Sequence, residues 1–217
     1  MTDRRVTSSW ARRLAVLGAP VAVPVSMTVV FEALRRRLRL HTAYNLGFGV
    51  YWIGWCTAFP LWVLGPRGTL KVLSQAGSPL SWGERCLLAA PVAGAVGTAL
   101  LPHRSEIDTR VAAVMVGSAA VNAVGEELLW RGVYLDQFPG DVARGAVWPL
   151  AGFALWHLAP QRILPATIGR WQFVAAAALV GTASTLPAWR GRGLRRVLLW
   201  HCATDACGVT VARFRLG

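Results

Sequence analysis

The sequence predicts an all-α protein, a polytopic membrane bundle of six to seven transmembrane helices forming a single integral membrane domain over residues 1–217. Three observations carry that expectation. Hydrophobic residues make up 54% of the chain and charged residues only 15%, against about 25% charged in ordinary soluble domains. The mean hydropathy is +0.43, more than a water-soluble core requires. Finally, the chain divides into apolar windows near the roughly 20 residues that a helix needs to cross a bilayer, and no segment alternates with the period of two that marks a strand.

Taken in order, the first window, 14–34, follows a basic run (Arg4, Arg5, Arg12, Arg13) and contains Pro20 and Pro24, which are expected to kink it. It imitates a signal peptide, but Glu32 and Arg35, Arg36, Arg37 and Arg39 follow it where a small-residue cleavage site would stand, so a retained first helix is expected. Window 43–64 is the cleanest, free of charge and carrying Tyr44, Trp52, Trp55 and Trp62. Residues 65–85, rich in Gly, Ser and Pro and holding the sole lysine, Lys71, read as the longest loop. Window 86–101 is short for a span and is closed by the polar patch 103–110. Window 111–130 is apolar until Glu126 and Glu127 interrupt its end; 146–160 is short, with His157 near its close. Window 171–189 is Ala-rich and uncharged, and 194–212 contains His201 and Asp205.

The net charge of +13 could indicate a nucleic-acid partner, but such proteins cluster their basic residues on one face with aromatics among them. Here the arginines sit between apolar blocks, which fits contact with membrane lipid headgroups and excludes nucleic acid as the expected partner. Because arginine flanks almost every window on both sides, the positive-inside rule does not decide the orientation. Cys56, Cys86, Cys202 and Cys207 form no CxxC pair and read as small buried hydrophobes. The excess of Arg over Lys points to a GC-rich genome and a bacterial cell membrane.

Chemistry has few residues to draw on. Of ten acids, Asp3, Glu32, Glu84, Glu106, Asp108, Asp136 and Asp141 fall at window ends or in loops, where water reaches them. Glu126, Glu127 and Asp205 do not. A carboxylate at mid-membrane depth costs about 3 kcal/mol on insertion scales, so such groups face the bundle interior and have partners. Glu127 and Arg131 are four apart in the favourable acid-first order and are expected to form an internal ion pair that holds the helix. Glu126 is rotated by about 100° from Glu127 and addresses another group, with the raised basicity of a carboxylate in a low dielectric. His157 and His201 lie in separate apolar windows, and Asp205 follows His201 by four, placed to orient its imidazole. A lone histidine in an apolar helix is more often a packing residue than a catalyst, and an i,i+4 Glu–Arg pair is usually a structural bridge. What lifts Glu126, His157, His201 and Asp205 above that reading is their origin in three separate windows of a chain poor in such residues. Together they make a water-activating site, with or without a bound metal.

These residues also form a recognisable set. Glu126-Glu127-Leu-Leu-Trp-Arg131-Gly resembles an EExxxR motif, Phe153-Ala-Leu-Trp-His157 an FxxxH motif, and His201-Cys-Ala-Thr-Asp205 an Hxxx(Asn/Asp) motif. All three, in this order, are similar to those of the CPBP family of CAAX prenyl endopeptidases and bacteriocin-processing membrane proteins. The resemblance covers the chain from residue 111 onward, with 111–212 as the motif-bearing helices. It implies that Glu126 with His157 activates the hydrolytic water, that His201 and the residue at 205 stabilise the oxyanion, and that Glu127, Arg131 and Phe153 support the site structurally. Asp205 departs from the Asn of the best-studied type of member. An ionised carboxylate cannot donate to an oxyanion, so Asp205 is protonated, orients His201 or binds a metal, the last favouring one divalent ion such as zinc.

The function expected is thus an intramembrane endopeptidase acting on a peptide or membrane-protein substrate. The alternative of another class is a non-catalytic immunity or scaffold protein of the same fold, with the motif residues as buried polar pairs. The two differ in one geometric expectation: a catalytic site requires Glu126, His157 and His201 to converge on one point that water can reach.

Overall fold

A computed structural model describes residues 3–166, 168–191 and 193–208, with side chains described from residue 10 onward. The described residues are helical and contain no strand: α1 (Asp3–Arg35), α2 (Leu40–Val50), α3 (Phe59–Ser74), α4 (Trp82–Ala95), α5 (Thr109–Glu127), α6 (Val133–Gln137), α7 (Trp148–Trp156), α8 (Arg170–Gly191) and α9 (Arg195–Cys207). Wider π-helical turns join α2 to α3 at Tyr51–Ala58 and α5 to α6 at Leu128–Gly132, extend α4 at Val96–Leu100 and lead into α7 at Ala143–Val147. Every apolar window of the sequence coincides with a helix. Residues 209–212, at the end of the last window, lie outside the described residues, as do the side chains of Arg4 and Arg5.

Three continuous stretches, Trp10–Arg35, Leu40–Ser74 and Thr109–Gln137, are long and apolar enough to cross a membrane, and the architecture is that of a helical membrane bundle. α1 shows why. Its inner face buries Val16, Ala19, Val23, Met27 and Phe31, while Leu14, Val21, Val25 and Val29 stand exposed on the outer face. A helix apolar on both faces belongs in a large core or in a membrane, and the length and hydropathy of this one suit a membrane span.

Pro20 and Pro24 do not interrupt α1. Proline lacks the N–H that would close a bond to the carbonyl four residues earlier, and at Pro20 that carbonyl, Val16 O, instead accepts the Tyr134 hydroxyl at 2.8 Å. The expected loop at 65–85 is shorter than its composition indicates. Gly65 adopts a positive φ of 71° and breaks the helix, but Pro66, whose ring fixes a helical φ, starts a new run that continues to Ser74. Only 75–81 is non-helical. α4 then opens on a capping box between Ser81 and Glu84, in which the Ser81 backbone N–H holds the Glu84 carboxyl below its ordinary range.

α5 packs along α9, α1 against α7 and α7 against α8. Glycines allow the closest approaches. A Cβ on Gly152 of α7 would stand 2.6 Å from Pro20 of α1, and one on Gly125 of α5 would stand 2.7 Å from the Cβ of Cys56. The largest core cluster gathers Phe31, Tyr44, Phe48, Tyr51, Trp130, Phe153 and Trp156. This aromatic wall, with α5 and α9, encloses the polar residues described next.

Candidate active site

Glu126 and Glu127 end α5, where the helix widens into the π-helical turn Leu128–Gly132. Such local widening recurs at functional sites because it re-aims successive side chains. Both glutamates are buried, at 1% and 0% exposure, and they turn to different partners.

Glu127 faces α8 and α9. Its Oε1 lies 3.1 Å from Arg131 Nη1 and 2.7 Å from His201 Nδ1. Arg131 is held further by Nε donating to the Thr185 hydroxyl at 3.2 Å and Nη2 donating to the Gly181 carbonyl at 3.1 Å. Its guanidinium lies 4.4 Å from the centre of the Phe153 ring, a cation–π contact in a dry setting. The expected Glu127–Arg131 pair is therefore present. Asp205, the expected orienter of His201, approaches its Nε2 with Oδ1 at 3.7 Å, longer than a hydrogen bond. The direct hydrogen bond to the ring comes from Glu127, at Nδ1.

Glu126 faces the aromatic wall. Its Oε1 accepts the Tyr51 hydroxyl at 3.2 Å and the Trp156 indole N–H at 3.0 Å, and its Oε2 accepts the Asn122 amide at 3.1 Å. The Tyr51 hydroxyl in turn accepts the Trp130 indole N–H at 2.9 Å, and the Tyr51 and Trp156 rings stack 3.8 Å apart. The Glu126 carboxylate is thus bonded by three neutral donors. Asn122 also donates to Asp205 Oδ2 at 2.8 Å.

These bonds bring together Glu126, His201 and Asp205. One donor atom from each lies within 4.8 Å of the others, with His201 Nε2 3.6 Å from Glu126 Oε2 and 3.7 Å from Asp205 Oδ1. The three could hold a metal ion. Two ligands of a tetrahedral zinc stand about 3.4 Å apart, so the separations fit. A histidine whose second nitrogen is bonded to a carboxylate is the usual form of a metal-ligating imidazole.

His157 does not join this group of three. Its Nδ1 lies 2.7 Å from the Phe153 carbonyl of its own helix. A carbonyl only accepts, so Nδ1 carries the proton and Nε2 the lone pair of the neutral ring. The Phe153 ring packs edge-on against both imidazoles, with its centroid 4.9 Å from that of His157 and 6.2 Å from that of His201. Of the three residues expected to converge, Glu126 and His201 come together, joined by Asp205, while His157 touches the ring of Phe153, which also packs on His201. Asp205, with 15% of its side chain exposed, and the half-buried His157 are the members nearest to solvent. A cleft of about 480 Å³ is lined by Trp52, Cys56, Val121, Gly125 and Leu128, and Trp52 joins it to the network through its bond to Asn122.

Sequence reasoning missed Tyr51, Asn122, Trp130 and Trp156. One signal was available for Asn122: it precedes Glu126 by four on the face of α5 that also buries Met115 and Ala119. The aromatics offered none, because an indole that donates into a site is indistinguishable in sequence from one that anchors at an interface.

Residues 108–207 match the family of type II CAAX prenyl endopeptidases described as Rce1-like. The match spans all three motifs and extends from the N-cap of α5 to the end of α9, so the resemblance read from the motifs is upheld over that segment. No curated protein and no solved structure matches the chain.

Proposed function

We propose that this protein is an intramembrane endopeptidase that hydrolyses a peptide bond of a membrane-associated substrate by general-base activation of water. The observation that carries the reading is the buried convergence of Glu126, His201 and Asp205, with His201 oriented by Glu127. The family match adds the reaction class, since its members are described as endopeptidases.

In this reading a water molecule enters from the side of Asp205 and His157. Glu126 takes one proton, and His157 Nε2 accepts a hydrogen bond from the second O–H, which orients the oxygen for attack on the substrate carbonyl carbon. The C–N bond then breaks, and the proton on Glu126 passes to the departing amine. Proton transfer by a positioned base contributes about 10² to 10⁴ in rate. His201, fixed at Nδ1 by Glu127, presents Nε2 toward the carbonyl oxygen and, when protonated, donates to the developing oxyanion. If a divalent ion such as zinc is bound, Glu126, His201 and Asp205 hold it, and it supplies Lewis-acid polarisation at the same point. The apolar cleft beside Gly125 is where an apolar stretch of the substrate would lie, as expected for a peptide or membrane protein presented in a bacterial membrane.

A second reading has its own observation. Glu126 is 1% exposed and its oxygens already meet Tyr51, Trp156 and Asn122, as in a purely structural polar network of a non-catalytic scaffold. One experiment separates the two. The protein is reconstituted in liposomes with a pool of lipid-anchored peptides in H₂¹⁸O, and products are read by mass spectrometry. The expected result is new carboxyl termini carrying ¹⁸O, with the rate falling at least about 10²-fold in Glu126→Gln at unchanged membrane yield. Cleavage that persists in Glu126→Gln overturns the assignment, and an absence of cleavage by the unsubstituted protein favours the scaffold. Elemental analysis of the same preparations decides the metal question. One equivalent that is lost in Asp205→Ala marks the ligated form, and none marks the form in which His201 donates.

A further inference from the structure

Asn122 stands at the centre of the polar network without belonging to any of the three motifs. It is 6% exposed, and its side-chain amide makes three hydrogen bonds. Nδ2 donates to Glu126 Oε2 at 3.1 Å and to Asp205 Oδ2 at 2.8 Å. Oδ1 accepts the Trp52 indole N–H at 2.8 Å. An amide can be turned by 180° with little change in shape, so its orientation must come from its partners. Here the partners leave one choice. An indole N–H only donates, so the atom facing Trp52 is the oxygen. Both N–H bonds are then directed at carboxylates, one on the same helix and one on α9.

The arrangement answers a problem that the site creates. Glu126 and Asp205 are carboxylates from different helices brought to one small volume, and like charges in a low dielectric repel. A neutral donor with two N–H groups can bind one oxygen of each and set their separation without adding charge. No other residue type of this size can do so: Asp has no donor, Ser has one and Ala none.

We infer that Asn122, clamped by Trp52, is a positioning residue that fixes the relative placement of Glu126 and Asp205 across the α5–α9 interface. The inference rests on the endopeptidase reading for its effect on rate, but the amide geometry can be tested without any substrate. The chain contains two asparagines, Asn45 and Asn122, so selective ¹⁵N-asparagine labelling of the whole protein in detergent micelles gives two side-chain amides, and Asn45→Ala assigns them. In the unsubstituted protein both Asn122 amide protons are expected downfield and slow to exchange with solvent. Asp205→Ala should release one of them. Trp52→Phe, which keeps the ring but removes the N–H, should release the amide so that both exchange faster. Asn122 amide protons with solvent-like shifts and exchange in the unsubstituted protein overturn the inference whether or not the protein cleaves peptides.

The kinetic arm uses the peptide found in the ¹⁸O experiment. Asn122→Ala and Trp52→Phe are expected to lower kcat by about 10- to 100-fold, as for lost outer-sphere partners, with KM unchanged. A packing defect alone would instead lower the yield of monodisperse protein and leave the kcat of the surviving fraction intact. Full kcat in a monodisperse Asn122→Ala protein also overturns the inference. If the unsubstituted protein cleaves nothing, the endopeptidase reading fails by itself, and the amide signals still decide whether Asn122 bridges the carboxylates.

Discussion

Glu127 holds two basic partners on one oxygen, Arg131 at 3.1 Å and His201 at 2.7 Å, and all three side chains are at most 3% exposed. Removing one member of a buried charge pair leaves the other charge without compensation, at a cost of about 3–5 kcal/mol. Glu127→Gln should therefore lower the thermal midpoint of the detergent-solubilised protein markedly, measured by the temperature at which monodispersity is lost. Arg131→Lys should do so too, because an ammonium cannot reproduce the fork that reaches Glu127, Thr185 and Gly181 at once. These variants should also lose activity through His201, whose ring orientation depends on the same oxygen. A glutamate that the motif assigns to structural support is in this way bonded directly to a histidine of the candidate site.

At the scale of the element, glycine determines how closely helices approach. Gly152→Val would drive a side chain into Pro20 and Trp130, which a Cβ alone would meet at 2.6 and 2.7 Å. Overpacking of this kind costs about 1–3 kcal/mol. The variant should unfold at lower temperature, whereas Gly83→Val, with nothing within 4 Å of its Cβ position, should not. The helices themselves were legible in the sequence, because a bilayer demands a minimum length of apolar residues and each window met it or nearly did. The extension of α3 through 66–74 was not, since Gly and Pro read as loop residues unless Pro66 is seen as the start of a new helix. In the site, the acids and histidines stood out by their rarity. Their pairing did not, because which ring nitrogen meets which oxygen depends on how α5 and α9 dock. Thus Asp205, four residues from His201, comes only to 3.7 Å of its Nε2, whereas Glu127, on another helix, bonds Nδ1 at 2.7 Å.

The molecule as a whole is built for two solvents. Leu14, Val21, Val25 and Val29 form an outward stripe on α1 that only lipid can cover, while polar groups are paired inside. An arginine placed at mid-span costs about 2.5–3.5 kcal/mol on insertion scales. Val25→Arg should thus reduce the fraction of protein recovered in the membrane, as measured by carbonate extraction, whereas a substitution in the exposed 75–81 segment such as Ser78→Arg should not.

The bond from Tyr134 to the Val16 carbonyl has a consequence in time. Proline at position 20 leaves that carbonyl without its intrahelical partner, and hydrocarbon offers no water to replace it. During synthesis α1 emerges more than a hundred residues before α6. Until then the first helix carries an unsatisfied acceptor, so it is a provisional insertion, completed when the stretch bearing Glu126, Glu127 and Arg131 docks beside it. The order of translation thereby leaves a defect in the first helix to be mended by a residue from the second half of the chain.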